Sequence, residues 1–263
     1  MALRQALDRV AQLYRYEVHL IRDFAADANE MVISKMPKIA NLATENLENV
    51  REFRNSLDAA IKVAEAKSSD RIVLGMKAPS AVRAFVGEAS RRLNQQTLLA
   101  SMCLSHLVSH QEAFFKDYLY TLLTHKRAML KSGASITYER IASHKTLRAL
   151  WSAIAQTEVD ALGHGSIDDL AVAIQKRLNL SLPSYENWPS IREHSYRRNI
   201  IVHNGGRVND IYRLKVGANR IEPSTDLNYI KGAAENVLGL IDYLHGEVCR
   251  KFRLRSRESK QPM

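Results

Sequence analysis

The amino-acid sequence predicts an all-α fold: an antiparallel helix bundle with an additional N-terminal helical hairpin and at most a short β-hairpin. Three observations predict it. Apolar residues recur every three or four positions through most of the chain, the period of one helix face. Only 11 glycines and 6 prolines punctuate 263 residues, too few for many short strands and their turns. Hydrophobic residues make up 46% of the chain, enough for a packed core and too many for global disorder.

The first helix is expected over residues 2–34, where Leu3, Leu7, Val10, Leu13, Tyr14, Val18 and Ile21 recur at helical spacing and charges fill the other face. Met36-Pro37 breaks it, because the residue before a proline is pushed out of the α region. A second amphipathic helix follows to about Lys67, with Ile39, Leu42, Leu47, Val50, Phe53, Leu57 and Ile61. Two helices with so short a joint form an antiparallel hairpin. Ser68 to Pro79 reads as a linker, with Ile72-Val73-Leu74 as a candidate short strand, and Ser80 can cap the next helix. From about Gln95 to Lys131 the chain is strongly apolar and reads as the central helix of a bundle, ended by Gly133.

A further helix is expected over roughly Ser143 to Thr157, carrying Leu147, Leu150, Trp151 and Ile154. Gly163-His164-Gly165 is a loop. Ser166-Ile167-Asp168-Asp169 then resembles a capping box with aspartate at its third position, and its helix runs to about Leu180, before Pro183. Pro189 opens the next helix, where its missing N–H costs least, and Asn204-Gly205-Gly206 stops it. Residues 210–222 read as irregular or as a short hairpin around Gly217-Ala218-Asn219. The last helix starts near Ser224-Thr225-Asp226 and reaches at least Val248. Gly232, Gly239 and Gly246 recur on one of its faces. Each lowers helix propensity, which implies close approach of another helix. The chain thus divides into a hairpin and linker packed on the bundle (1–79), a helical domain (80–252) and a disordered basic tail (253–263).

Net charge is +10, with 38 lysines and arginines against 28 acidic residues. This favours an anionic partner, nucleic acid being the commonest, although Arg250 to Arg257 supplies five of the basic residues and reads by itself as a solvated terminus. No run of about 18 apolar residues exists to span a membrane, and the charged N-terminus has no signal-peptide core. Cys103 and Cys249 lie far apart in apolar helical patterns and read as buried thiols. These features predict a soluble cytoplasmic protein.

The chemistry-bearing stretch is Arg197-Arg198-Asn199-Ile200-Ile201-Val202-His203-Asn204-Gly205-Gly206. Asn199 and His203 are four residues apart and share a helix face. Arg198 lies about 140° round from His203, and its long side chain can reach toward the same pocket. Arginine offers a permanent charge and a planar fork of donors matched to phosphate oxygens. Histidine trades its proton most easily near neutral pH, and His203 sits at a helix C-terminus, where the dipole favours a cation. An arginine that holds a phosphate and a histidine that moves a proton suffice for metal-independent RNA cleavage by the ribose 2′-OH. The same two residue types near a helix end also serve simply as caps for its carbonyls.

Arg198-Asn199-Ile200-Ile201-Val202-His203 resembles the Arg-x4-6-His signature of the HEPN superfamily, in which a polar residue, often asparagine, follows the arginine. The resemblance covers roughly residues 95–250 and implies an all-α bundle. It also implies a metal-independent endoribonuclease of toxin–antitoxin, abortive-infection or antiviral systems, built as a homodimer whose site takes one motif from each subunit. It assigns catalytic roles to Arg198 (phosphate binding), His203 (general acid or base) and Asn199 (orienting His203 or the phosphate). The earlier segment Val108 to Asp117 resembles the HEPN helix in which an acidic residue interrupts an apolar face, which makes Glu112 a supporting residue and Arg198 its candidate ion-pair partner. An exposed glutamate at the edge of the stripe is the alternative for Glu112. Partners implied are RNA and an antitoxin or other defence-system protein, with no membrane, cofactor or metal. One departure is Gly205, where some HEPN toxins carry a tyrosine modified by a partner enzyme, so that form of control is not expected here.

Arg197, His194 and Arg207 flank the motif as candidate RNA contacts, although an exposed bystander is the better reading of His194. Tyr185, Trp188 and Tyr196 are candidates for base stacking, or core. His106 and His110 share a helix face as zinc ligands do, but lack the adjacent glutamate of the zincin motif and read as bundle histidines. A non-catalytic helical binding or oligomerisation module is the second reading of the whole chain. A DNA-binding regulator ranks last, in the absence of a clear helix-turn-helix.

Overall fold

Eight α-helices carry the predicted helical period through the described residues. The structure, a computed structural model, describes residues 2–36, 55, 57–62, 80–130, 135–162, 165–217 and 225–254. The helices are α1 (Leu3–Ser34), α2 (Ser80–His125), α3 (Tyr138–Ala142), α4 (Leu147–Leu162), α5 (Ile167–Leu178), α6 (Trp188–Asn204), α7 (Asp210–Val216) and α8 (Leu227–Lys251). Short 3-10 turns lie at Arg127–Leu130 and Leu182–Ser184. Residues 57–62 are also helical, and the described residues include no strand. The rest of the expected second helix, the 68–79 linker with its candidate strand, Gly133 and the tail beyond Leu254 fall outside the described residues.

Local chemistry sets most boundaries. The capping box of α5 is complete: the Ser166 hydroxyl accepts from the Asp169 amide, and the Asp169 carboxylate accepts from the Ser166 amide at 2.8 Å. Asn179 closes that helix in the left-handed conformation, φ +46°. Pro189 stands in the first turn of α6, and Gly205 closes it at φ +59°, a conformation that suits glycine.

Three boundaries depart from the sequence reading. The helix that Ser80 opens and the apolar helix expected from Gln95 are one continuous α2, because Gly87 alone costs only about 1 kcal/mol of propensity and no proline interrupts the segment. The helix expected over Ser143 to Thr157 starts later, as α4, where the Thr146 hydroxyl accepts from the Ala149 amide, and Ser143 is instead the C-cap of α3, a short helix the sequence reading did not contain. Residues 210–216, read as irregular or hairpin, form α7, which the Asn209 side chain caps by accepting from the Tyr212 amide and Gly217 ends at φ +73°.

The described chain forms two compact units, Met1–Ala25 with Ala100–Met263, and Ala26–Leu99. In the first, α8 buries Ile230, Ala233, Val237, Leu240, Ile241, Leu244 and Val248 completely. Fully burying each leucine contributes about 1.5–3 kcal/mol. α1 adds Leu7, Ala11, Tyr14, Val18 and Ile21, and α2 adds Leu104, Leu107, Phe114, Tyr118 and Leu122. One polar clasp runs through this core: Tyr118 and Asp8 lie on the two ring nitrogens of His245, each at 2.9 Å. Burial, aided by the Arg4 charge, pushes the His245 pKa down against the pull of Asp8. Cys103 and Cys249 are free thiols in the interior. In the second unit, Gln96 donates to Asn29 at 2.9 Å.

The glycine row of α8 is corrected in part. A Cβ on Gly239 would collide with the Tyr185 hydroxyl, whereas Gly232 and Gly246 face open space. The approach at Gly239 comes from a single ring, not from a helix: the Tyr185 hydroxyl donates to the Asn236 carbonyl at 3.0 Å. Opposite signs are therefore expected from one substitution. Gly232→Ala stabilises by roughly 0.5–1 kcal/mol through propensity, and Gly239→Ala destabilises by roughly 1–3 kcal/mol through overpacking. Urea melts of both variants decide the matter.

Candidate functional site

α6 carries the motif, and carboxylates on three elements grip its arginines in turn. Arg192 donates from Nε and Nη2 to the two oxygens of Asp168 on α5, at 2.6 and 2.9 Å. The Tyr196 hydroxyl and the Lys215 ammonium meet the same carboxylate at 3.0 and 3.2 Å. These partners, Arg192 first, hold the Asp168 pKa down to about 2. The fork–fork geometry fixes the entry of α6 against α5.

The next residue, Glu193, collects a second, more deeply buried network. Its carboxylate accepts from Arg197 Nε at 2.6 Å and from the Tyr212 and Tyr229 hydroxyls. Burial alone raises a carboxylate pKa, but the His194, Tyr212 and Tyr229 hydrogen bonds and the Arg197 charge outweigh it and hold Glu193 at about 2. The Arg197 guanidinium also stacks 4.0 Å from the centre of the Tyr229 ring. His194 Nδ1 lies 2.7 Å from the Tyr229 hydroxyl, and the Asn236 amide lies 3.2 Å from His194 Nε2. Because Tyr229 gives its proton to Glu193, the consistent tautomer of His194 carries its proton on Nδ1.

The motif itself comes next. Arg198 donates from Nη2 to Glu112 of α2 at 2.7 Å and from Nη1 to its neighbour Asn199 at 3.0 Å. The Arg198 side chain is 19% exposed and that of Glu112 is 47% exposed. Both readings of Glu112 are thus met at once: it stands at the edge of the apolar stripe and pairs with the arginine. Beside it, Phe115, Leu119, Val159, Ile167 and Leu170 floor a cavity of about 40 Å³, with Glu112, Lys116 and Ser166 at its rim. That is room for a water molecule or two. A wider groove of about 710 Å³ runs between α5 and the start of α6, past Val172, Pro183, Trp188 and Arg192.

His203 lies exposed in the last turn of α6, and no hydrogen bond or ion pair ties its side chain to another described residue. Asn199 shares its face but gives its carbonyl oxygen to Arg198 rather than to the histidine. The structure therefore brings Arg198, Asn199 and Glu112 together and leaves His203 apart from them. Arg207 is exposed just beyond the glycine pair.

The remaining candidates are placed differently from expectation. His194, read as exposed, is buried, and Arg197 is turned into the Glu193 network. Trp188 and Tyr196 are buried, which leaves neither face open for a base. His110 pairs with Glu17 at 2.7 Å, and no metal-ligating cluster occurs among the described residues. Sequence reading passed over Glu193, Asp168, Tyr212 and Tyr229 as site residues. Glu193 alone carried a local signal, standing four residues before Arg197 on one helix face.

No helix among the described residues is long and apolar enough to cross a membrane. No protein-family model, curated protein or solved structure matches this chain.

Proposed function

We propose that the chain is a metal-independent endoribonuclease of the HEPN type, acting in a toxin–antitoxin, abortive-infection or antiphage defence setting. The observation that carries the reading is the Arg198 fork, held at the surface of α6 by Glu112 and Asn199, with His203 exposed further along the same helix. In this reading Arg198 exchanges Glu112 for a non-bridging phosphate oxygen, and His203 accepts the proton of the ribose 2′-OH. The 2′ oxygen attacks phosphorus, and the 5′ oxygen leaves with a proton from a second histidine. The product is a 2′,3′-cyclic phosphate. His203 is five positions after Arg198, about 7.5 Å along the axis and 140° round it. One chain therefore supplies half a site, and a homodimer completes it.

A second reading, a non-catalytic HEPN-like module for binding or oligomerisation, draws on the same pair: an arginine already engaged by a carboxylate is content without a phosphate. The two readings part in one experiment. Purified wild type and His203→Ala are incubated with structured and unstructured RNAs in EDTA. The enzyme reading expects cleavage by wild type, with 2′,3′-cyclic phosphate ends, and none by the variant. Equal inertness of both on every RNA leaves the binding module.

A further inference from the structure

α1 has two apolar faces. Leu7, Ala11, Tyr14, Val18, Ile21 and Ala25 are buried. At about 100° per residue, Leu13, Tyr16, Leu20 and Phe24 form a second row about 140° away from the first. These four are 51, 62, 49 and 61% exposed. A surface helix needs one apolar stripe. Single exposed apolar residues are ordinary, but a continuous row of large ones marks a contact surface, and steps of three and four residues are those of a helix–helix seam.

The ends of the row are charged. Arg9 and Asp27 are eighteen residues apart, about five turns, and so point the same way as the row. Both are exposed, and neither side chain pairs with another described residue. Arg4 pairs with Asp8, Arg15 with Asp242, Arg22 with Asp23 and Glu17 with His110, while Glu30, off the row, is exposed and like Arg9 and Asp27 has no partner among the described residues. Arg9 and Asp27, Tyr16 and Leu20, and Leu13 and Phe24 each lie symmetrically about one point near Val18.

We propose that this row is a self-association surface on which α1 of a second copy packs antiparallel, about a two-fold axis near Val18. Leu13 meets Phe24 of the second copy, Tyr16 meets Leu20, and Arg9 meets Asp27 at both ends of the seam. A two-fold contact needs a self-complementary patch, and this charge pattern is self-complementary only when the helices run antiparallel. In the parallel arrangement each charge meets its like. A membrane surface fits less well, since Asp23 and Asp27 border the row where a membrane-lying helix carries lysine and arginine. The contact uses neither Arg198 nor His203 and stands independently of the nuclease reading.

Sedimentation velocity of the full chain over a range of concentrations tests it. Wild type is expected to dimerise, and Leu20→Glu to remain monomeric while keeping wild-type helicity by circular dichroism. Arg9→Glu and Asp27→Arg should each weaken the dimer by roughly tenfold, and the double variant, which exchanges the charges, should restore it. Should α6 contribute a separate dimer contact, Leu20→Glu removes one step of a larger assembly. His203→Ala leaves the α1 contact intact, so failure of the nuclease reading is visible separately. A wild type that stays monomeric, a dimer indifferent to Leu20→Glu, or a double variant as weak as the singles overturns the proposal. So does a Leu20→Glu chain that unfolds while wild type is monomeric, the result expected if another part of the same chain covers the row.

Discussion

Glu193→Ala lowers folding stability by about 3–5 kcal/mol, the usual cost of removing one partner from a buried ion pair. Truncation takes the acceptor from two tyrosine hydroxyls and the counter-charge from Arg197, whose side chain is only 12% exposed. Unmade buried hydrogen bonds add their own desolvation cost. At about 2–4 °C per kcal/mol for a chain of this size, the melting temperature should fall by roughly 6–20 °C. The pH dependence gives a second reading. The Glu193 pKa sits at about 2 in the folded chain, below the ordinary glutamate value of about 4.3. Its contribution is therefore fully present above that ordinary value and disappears as pH falls from about 5 toward 2. Stability of wild type and variant, measured by urea titration, should converge through this window. A gap that persists unchanged into acid would show that the loss is one of packing rather than of the carboxylate charge.

If the proposed nuclease reading holds, Arg198→Lys should reduce RNA cleavage by about 10²–10³-fold, the range for losing one preorganised transition-state donor, while changing stability by less than about 1 kcal/mol. The small stability effect follows from the exposure of Glu112, because half-exposed ion pairs contribute little. The large kinetic effect follows from shape. Two nitrogens of one planar group reach Glu112 and Asn199 together, and a lysine ammonium, a point charge on a flexible stem, does not reproduce that fork. The comparison is kcat/KM on an RNA that wild type cleaves, beside a thermal melt. Wild-type turnover in Arg198→Lys would show that positive charge alone suffices and would remove the guanidinium fork from the mechanism.

What was legible in the sequence was local. Ser166 and Asp169 are three residues apart, and Pro189 and Gly205 bracket α6, so spacing alone located these features. The pairing of Glu112 with Arg198 spans 86 residues, yet it was also legible, since a carboxylate amid Val108 and Phe115 demands a cation. α7 was missed because Ile211 and Leu214 face outward, so its apolar residues do not trace a core face. The Glu193 network was missed because Tyr212 and Tyr229 arrive from α7 and α8, and no periodicity announces a hydroxyl aimed at a carboxylate. The same network explains His194: its ring bridges Tyr229 and Asn236, and both nitrogens are satisfied away from solvent.

The three clamps on α6 have an electrostatic consequence. Arg192, Arg197 and Arg198 each face a carboxylate within hydrogen-bonding distance. Opposite charges so close form dipoles, whose fields die away faster than those of single ions even before salt screens them at about 8–10 Å. The motif helix, rich in arginine, is therefore nearly silent at long range. A polyanion approaching this chain of net charge +10 is drawn in by basic groups elsewhere. In the nuclease reading it discovers Arg198 only on contact, when a phosphate takes the place of Glu112.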